Sequence, residues 1–149
     1  PLDPAVSENW FLHGTQPQIV LNILNDGLND RCSSVKGLFG GGTYLAEDSA
    51  KMDQYVTPEG AFQEAGLEDL HKRIYRKVKH EPGVFYCFAV RAVCGLAVRT
   101  QDGWKDLKGN DAFIHDTTRA GEVVRLQLAL VPGANPPMRY HSLIGELGG

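Results

Sequence analysis

The chain has 149 residues, a formal charge of -3 and 42% hydrophobic content, enough for one soluble domain, residues 1–149, built on a single core. Its 15 basic and 18 acidic residues are interspersed, so it lacks the dense basic stripe of a nucleic-acid face, and no apolar stretch is long enough for a membrane span. Three cysteines cannot all pair, and without signal-peptide architecture an intracellular location, cytoplasmic or nuclear, is expected.

In chain order, Asn9 to His13 reads as a short strand. Thr15 followed by Pro17 reads as an N-cap and a proline in the first helical turn. Ile19, Val20, Leu21, Ile23 and Leu24 supply an apolar helix face, and Gly27 sits where a left-handed C-cap belongs. Leu28 to Lys36 reads as loop. Asp48 or Ser49 caps a short helix through Tyr55, and Pro58-Glu59-Gly60 separates it from a second helix marked by Leu67, Leu70, Ile74 and Val78. The cluster Lys72-Arg73, Arg76-Lys77 and Lys79 reads as that helix's solvated face.

Val84 to Val98 is nearly continuous in valine and aromatics, which predicts a strand buried on both faces at the sheet centre, with a bend at Gly95. Cys87 and Cys94, an odd number of residues apart in this run, would face opposite sides. Residues 100 to 121 read as surface loop. Val124, Leu126, Leu128 and Leu130 alternate with polar or small residues and predict a half-buried strand. No internal repeat is visible. Because the chain begins at Pro1, a larger multidomain parent is expected.

Two blocks carry the chemistry: Phe11-Leu12-His13-Gly14-Thr15, and Phe39 to Tyr55 with its glycines. Gly37, Gly40, Gly41 and Gly42 permit close approach of a ligand to backbone. Their spacing matches neither the G-x-G-x-x-G of a dinucleotide fold nor a P-loop. His71, His80, His115 and His141 show no metal-ligand spacing with a cysteine or carboxylate, so no zinc or other metal is expected. Cys32 reads as an ordinary loop thiol.

The blocks resemble the catalytic domain of poly(ADP-ribose) polymerases, the diphtheria-toxin-like ADP-ribosyltransferases with a His-Tyr-Glu triad. Leu12-His13-Gly14-Thr15 is similar to the family's histidine motif, and Phe39 to Asp48 with Lys51 and Tyr55 to its tyrosine motif. Phe85 to Leu96 is similar to the family's central strand, and Pro136 to Gly145 to the loop segment before its last strands. The four ordered motifs cover about two thirds of the chain.

The resemblance implies an α+β fold: two small antiparallel sheets in a split sandwich, flanked by helices, with NAD in the cleft. It implies NAD as substrate, without metal, and transfer of ADP-ribose to a macromolecule with release of nicotinamide, protein being favoured over nucleic acid as acceptor. His13, Gly14, Thr15, Gly42, Tyr44, Ala46 and Tyr55 would bind NAD, and His13, Tyr44 and Lys51 would serve catalysis. His13 would bond the adenosine ribose, the Gly14 backbone the nicotinamide carboxamide, and the Thr15 hydroxyl would face the adenosine end. Tyr44 and Tyr55 would clamp the pyridinium ring, about 0.5 to 2 kcal/mol per face. The segment from Asn29 to Phe39 would form the rim of the donor pocket.

The family's glutamate follows the segment matched by Pro136 to Gly145, and so is expected beyond Gly149. Glu122 precedes that segment and reads as a solvated strand-edge residue, and Glu146 as part of a connecting loop. Met52 departs from the pattern, since many members carry there a serine that bonds the carboxamide. Two other classes stay open on the same fold: a catalytically inactive NAD- or ADP-ribose-binding module, and an enzyme of different output. The latter would be an NAD glycohydrolase or, disfavoured by the lack of a basic face, an RNA 2'-phosphotransferase.

Overall fold

The computed structural model describes residues 1–34, 37–60, 65–116 and 124–146. It is a mixed α+β structure whose described residues gather into two compact units. Unit 1 takes Pro1–Asn9, Asp30–Gly42 and Ala92–Gly149, and unit 2 takes Trp10–Asn29 and Thr43–Arg91.

Strand β1 runs Glu8–Thr15, one residue earlier and two residues later than the sequence reading, and pairs with β2, Tyr86–Val93. Helix α1, Pro17–Asp26, begins at the proline, whose missing N–H costs nothing in a first turn. Its N-cap is Gln16, with no side-chain cap bond, so Thr15 is not the predicted cap but the buried last residue of β1. Gly27 ends the helix at the expected place, its N–H donating to the Ile23 carbonyl at 2.9 Å, but at φ 75 and ψ -174 it has positive φ without the left-handed helical conformation expected of it. A 3-10 turn, Asp30–Cys32, lies within the predicted loop.

Asp48 caps helix α2, Ser49–Met52, by accepting the Ala50 N–H at 2.8 Å, and a 3-10 turn, Asp53–Tyr55, completes the segment. Helix α3 is shorter than its apolar spacing suggests, Glu68–Ile74. Arg76 at φ 56 breaks the helical path, so Arg76, Lys77 and Lys79 lie beyond the helix and Val78 is exposed. The buried face of α3 is Leu70 and His71. Val20, Leu67, Leu70 and Tyr86 form the core of unit 2, with Leu21, Tyr75, Val84 and Phe88 packed on it. The Arg73 guanidinium donates to the Asn25 side-chain carbonyl, tying α3 to the last turn of α1.

The long apolar run is not one doubly buried central strand. It divides into β2 and β3, Ala97–Thr100, on either side of Gly95 at φ 58, where the predicted bend falls. β2 alternates between sheltered and exposed positions and has a single partner strand among the described residues, and Val93 at its end, like Phe85 before it and Leu96 after it, is about half exposed. The predicted surface loop contains β4, Phe113–Asp116, entered through fully buried Ala112. β4 pairs antiparallel with β5, Val124–Leu128, with a register shift between Ile114 and His115. β6, Ser142–Gly145, is a strand rather than loop and pairs parallel with β3, matching Ala97 with Ser142 and Thr100 with Gly145.

A parallel pair departs from the expected antiparallel sheets, and the long connection from β3 to β6 is what permits it. Among the described residues the strands form three two-stranded sheets. Val98, Ala112 and Phe113 make the core of unit 1, with Phe39, Leu128, Tyr140 and Leu143 packed against it. None of the three cysteines is in a disulfide. No described helix is long and apolar enough to cross a membrane.

Candidate functional site

Unit 2 brings the histidine block beside Tyr44 and Ala46 of the tyrosine block, whose first residues, through Gly42, belong to unit 1. Leu12 and Ala46 form an isolated antiparallel bridge, with the Leu12 N–H donating to the Ala46 carbonyl at 2.7 Å and the Ala46 N–H returning a bond at 2.9 Å. The ladder places His13 next to Tyr44. The His13 Nδ1–H donates to the Tyr44 carbonyl at 2.9 Å, and in the neutral ring this leaves Nε2 as an acceptor. His13, Gly14, Tyr44 and Ala46 are all half-buried. A histidine held by one nitrogen against backbone presents the other in a fixed direction, which suits recognition of a hydroxyl.

Gly14 is a glycine because of what lies on it. A β-carbon there would sit 2.6 Å from Met52 Sδ and 2.6 Å from Val56 Cγ1. Helix α2 and the residue after its 3-10 turn therefore pack directly onto the backbone of β1, and Met52 stands beside the glycine that the resemblance assigns to the carboxamide.

Other expected site residues are less concentrated. Thr15 is 6% exposed, so its hydroxyl lies in the interior of unit 2. Lys51 donates to the Gln54 side chain at 3.1 Å, and its Nζ stands 5.9 Å from the centroid of the Tyr55 ring, which is 52% exposed. Gly42 belongs to unit 1 and has open space where a β-carbon would be. Of the glycines at 37, 40, 41 and 42, Gly40 alone has positive φ. Phe39 packs on Gly145 in unit 1, where its ring would meet a β-carbon at 2.8 Å, so the motif's aromatic start is a core residue.

Glu146 extends the β3–β6 pairing instead of lying in a connecting loop. Its N–H donates to the Thr100 carbonyl at 2.8 Å and its carboxylate pairs with Arg99. Glu122 lies outside the described residues.

A second cluster in unit 2 escaped the sequence reading. Glu59 is fully buried, its N–H donating to the Val84 carbonyl at 2.8 Å and its own carbonyl accepting from Gly83 N–H at 2.8 Å. Its Oε2 accepts the Tyr86 hydroxyl at 2.6 Å, and its Oε1 faces His80 Nε2 at 2.8 Å and His71 Nε2. Burial opposes ionisation of Glu59, but the bonds from Tyr86, His80 and His71 outweigh it and hold the carboxyl below its usual range. The Glu81 carbonyl first, and the Glu59 carboxylate with it, raise His80, against the opposing effect of burial. Tyr86 is pushed well up, by burial first and by the Glu59 contact next.

No protein-family model and no curated protein sequence matches the chain. The geometry of the sites thus stands on its own.

Spacing along the chain gives little sign of the Glu59 cluster, since Glu59, His71 and His80 are separated by 12 and 9 residues. What joins them is the Glu59–Val84 bridge, which folds the segment containing α3 back on itself. The one available signal was Glu59 itself, a carboxylate between turn residues just ahead of an apolar helix and strand.

Proposed function

We propose that the chain is an NAD-dependent ADP-ribosyltransferase domain, transferring ADP-ribose from NAD to a macromolecular acceptor, with protein favoured, and releasing nicotinamide. The reading takes the fold to be of the ADP-ribosyltransferase type. The observation that supports it most is the Leu12–Ala46 bridge together with the His13 to Tyr44 bond. Two blocks separated by about thirty residues, each similar to one motif of that family, meet through backbone pairing and place the histidine against the tyrosine.

In this reading His13 Nε2 accepts a ribose hydroxyl and the Gly14 backbone meets the carboxamide. Tyr44 and Tyr55 stack on the pyridinium, whose positive charge favours aromatic faces. Lys51, with its Nζ 5.9 Å from the centroid of the Tyr55 ring, would stand at the edge of the pocket. Departure of neutral nicotinamide leaves an oxocarbenium-like ribose, which a carboxylate stabilises electrostatically.

The test is NAD titrated into the protein by calorimetry, with free nicotinamide and intact mass followed on the same samples. NAD binding that falls at least tenfold in both His13→Ala and Tyr44→Ala supports the site, and nicotinamide release with gain of ADP-ribose mass supports the transferase. Binding without release makes the chain an NAD- or ADP-ribose-binding module, and release without mass gain a glycohydrolase. Absence of NAD binding by the folded protein overturns the reading.

A further inference from the structure

We propose that Glu59, His71 and His80 form a metal site of the zinc class in unit 2, holding a divalent transition-metal ion that staples α3 to the segment around the Glu59–Val84 bridge. The inference is independent of NAD binding. One carboxylate oxygen and two imidazole nitrogens lie within 4.8 Å of one another. Their side chains are 0%, 10% and 5% exposed. An N2O donor set is what zinc and its first-row neighbours select, whereas calcium and magnesium take oxygen ligands.

The orientation of the rings carries the argument further than proximity. His80 Nδ1 lies 2.7 Å from the Glu81 carbonyl, to which only an N–H can donate. With Nδ1 held there, Nε2 is turned toward Glu59 Oε1 at 2.8 Å, the direction from which it could ligate an ion shared with that carboxylate. A proton satisfies that one contact, but His71 Nε2 converges on the same carboxylate oxygen, and a metal ion serves all three ligands at once. A backbone carbonyl behind a histidine ligand is the usual outer support of a metal site, fixing the ring's tautomer. Tyr86 supports Glu59 in the same manner through Oε2.

The ligands come from three places in the chain: the residue bridged to Val84, the buried face of α3, and the segment after α3. Binding therefore couples to the packing of unit 2, and an ion that binds only the folded form raises its stability by mass action. Three protein ligands leave the fourth position to water, the pattern of a zinc site that keeps an open position.

The experiment is metal analysis of the purified chain, followed by Zn2+ and Co2+ titration of the chelator-stripped protein. Circular dichroism establishes that the stripped protein is folded, and thermal unfolding is measured at each step. Expected are one zinc per chain, a melting temperature raised by zinc and lowered by chelator, and visible Co2+ bands without thiolate charge transfer. Tyr86→Phe, which keeps all three ligands, should weaken zinc about tenfold through loss of its support to Glu59. A His71→Gln/His80→Gln variant should bind no zinc at stoichiometry. Folded wild-type protein that takes up neither ion overturns the proposal, and so does a thiolate band or undiminished zinc uptake by the double variant. If the double variant does not fold, the wild-type titration and Co2+ spectrum decide alone.

Discussion

Met52 packs on the backbone of Gly14, its Sδ 2.6 Å from where a β-carbon would be. The contact links α2 to β1 and fixes which chemistry the side chain at position 52 can offer near that glycine. A thioether donates no hydrogen bond, so a carboxamide held by Gly14 gains nothing from this neighbour.

Met52→Ser should therefore bind benzamide-type nicotinamide mimics more tightly, by about 0.5 to 1.5 kcal/mol for a neutral hydrogen bond. The same change removes apolar packing from Gly14, and a small loss of melting temperature should accompany it. Calorimetric titration of both proteins with one benzamide checks this, and equal affinities would remove position 52 from the pocket.

Gly14→Ala tests the contact from the other side. The new methyl meets Met52, whose flexible chain can turn away, and Val56, whose branched Cγ1 cannot. A cost of about 1 to 3 kcal/mol is expected from overpacking. Most of it should be relieved in the Gly14→Ala/Val56→Ala double variant, while Met52→Ala should relieve less. Urea denaturation of the wild type, Gly14→Ala, Val56→Ala, Met52→Ala and the two double variants gives the couplings, and additive effects would show that the methyl is accommodated elsewhere.

Local signals in the sequence were the legible ones. Pro17, Gly27, Asp48 and Gly95 each act through their own backbone chemistry, and each lies where the sequence places it. What could not be read were partners. The Val84 to Val98 run looks doubly buried because its composition is apolar throughout, yet β2 has one neighbour among the described residues and alternates in exposure. β4 was hidden because Ala112 and Phe113 are too short an apolar signal among turn residues, and they are buried only because β5 pairs there. In the candidate site, adjacency of the blocks around His13 and Tyr44 was implied only by resemblance. The grouping of Glu59, His71 and His80 depends on a bridge between distant residues that no periodicity encodes.

Gly95→Ala should be costly in unit 1. The residue has φ 58, and a β-carbon there would overlap the imidazole of His141. That ring accepts the Leu96 N–H through Nδ1 at 3.1 Å, and the His141 N–H donates to the Leu96 carbonyl at 2.8 Å, where the β3–β6 pairing begins. Left-handed strain and overlap together predict about 2 to 4 kcal/mol of lost stability. In a His141→Ala background the overlap is gone and the cost should fall to the strain alone, about 1 to 2 kcal/mol. An unchanged cost in that background would mean that His141 has no part in it.

Asp102 is expected to make unit 1 less stable in acid. Its carboxylate accepts the Lys105 N–H at 3.0 Å and the Trp104 N–H at 2.7 Å, and it faces the Thr100 hydroxyl at 3.3 Å. These bonds, the Lys105 amide first, hold its pKa below the ordinary carboxyl value against a small opposing effect of burial. A depressed folded value means that the unfolded chain binds the proton more readily. The stabilisation is then complete above the unfolded value, about 3.9, and is lost as pH falls through the lower folded value. Asp102→Asn, which keeps an acceptor but has no charge to lose, should be less stable than the wild type near neutrality. The gap should close as the pH drops below about 3.9. Urea midpoints measured for both proteins across that range decide it, and a gap constant with pH would show that the carboxylate's charge contributes nothing to the turn.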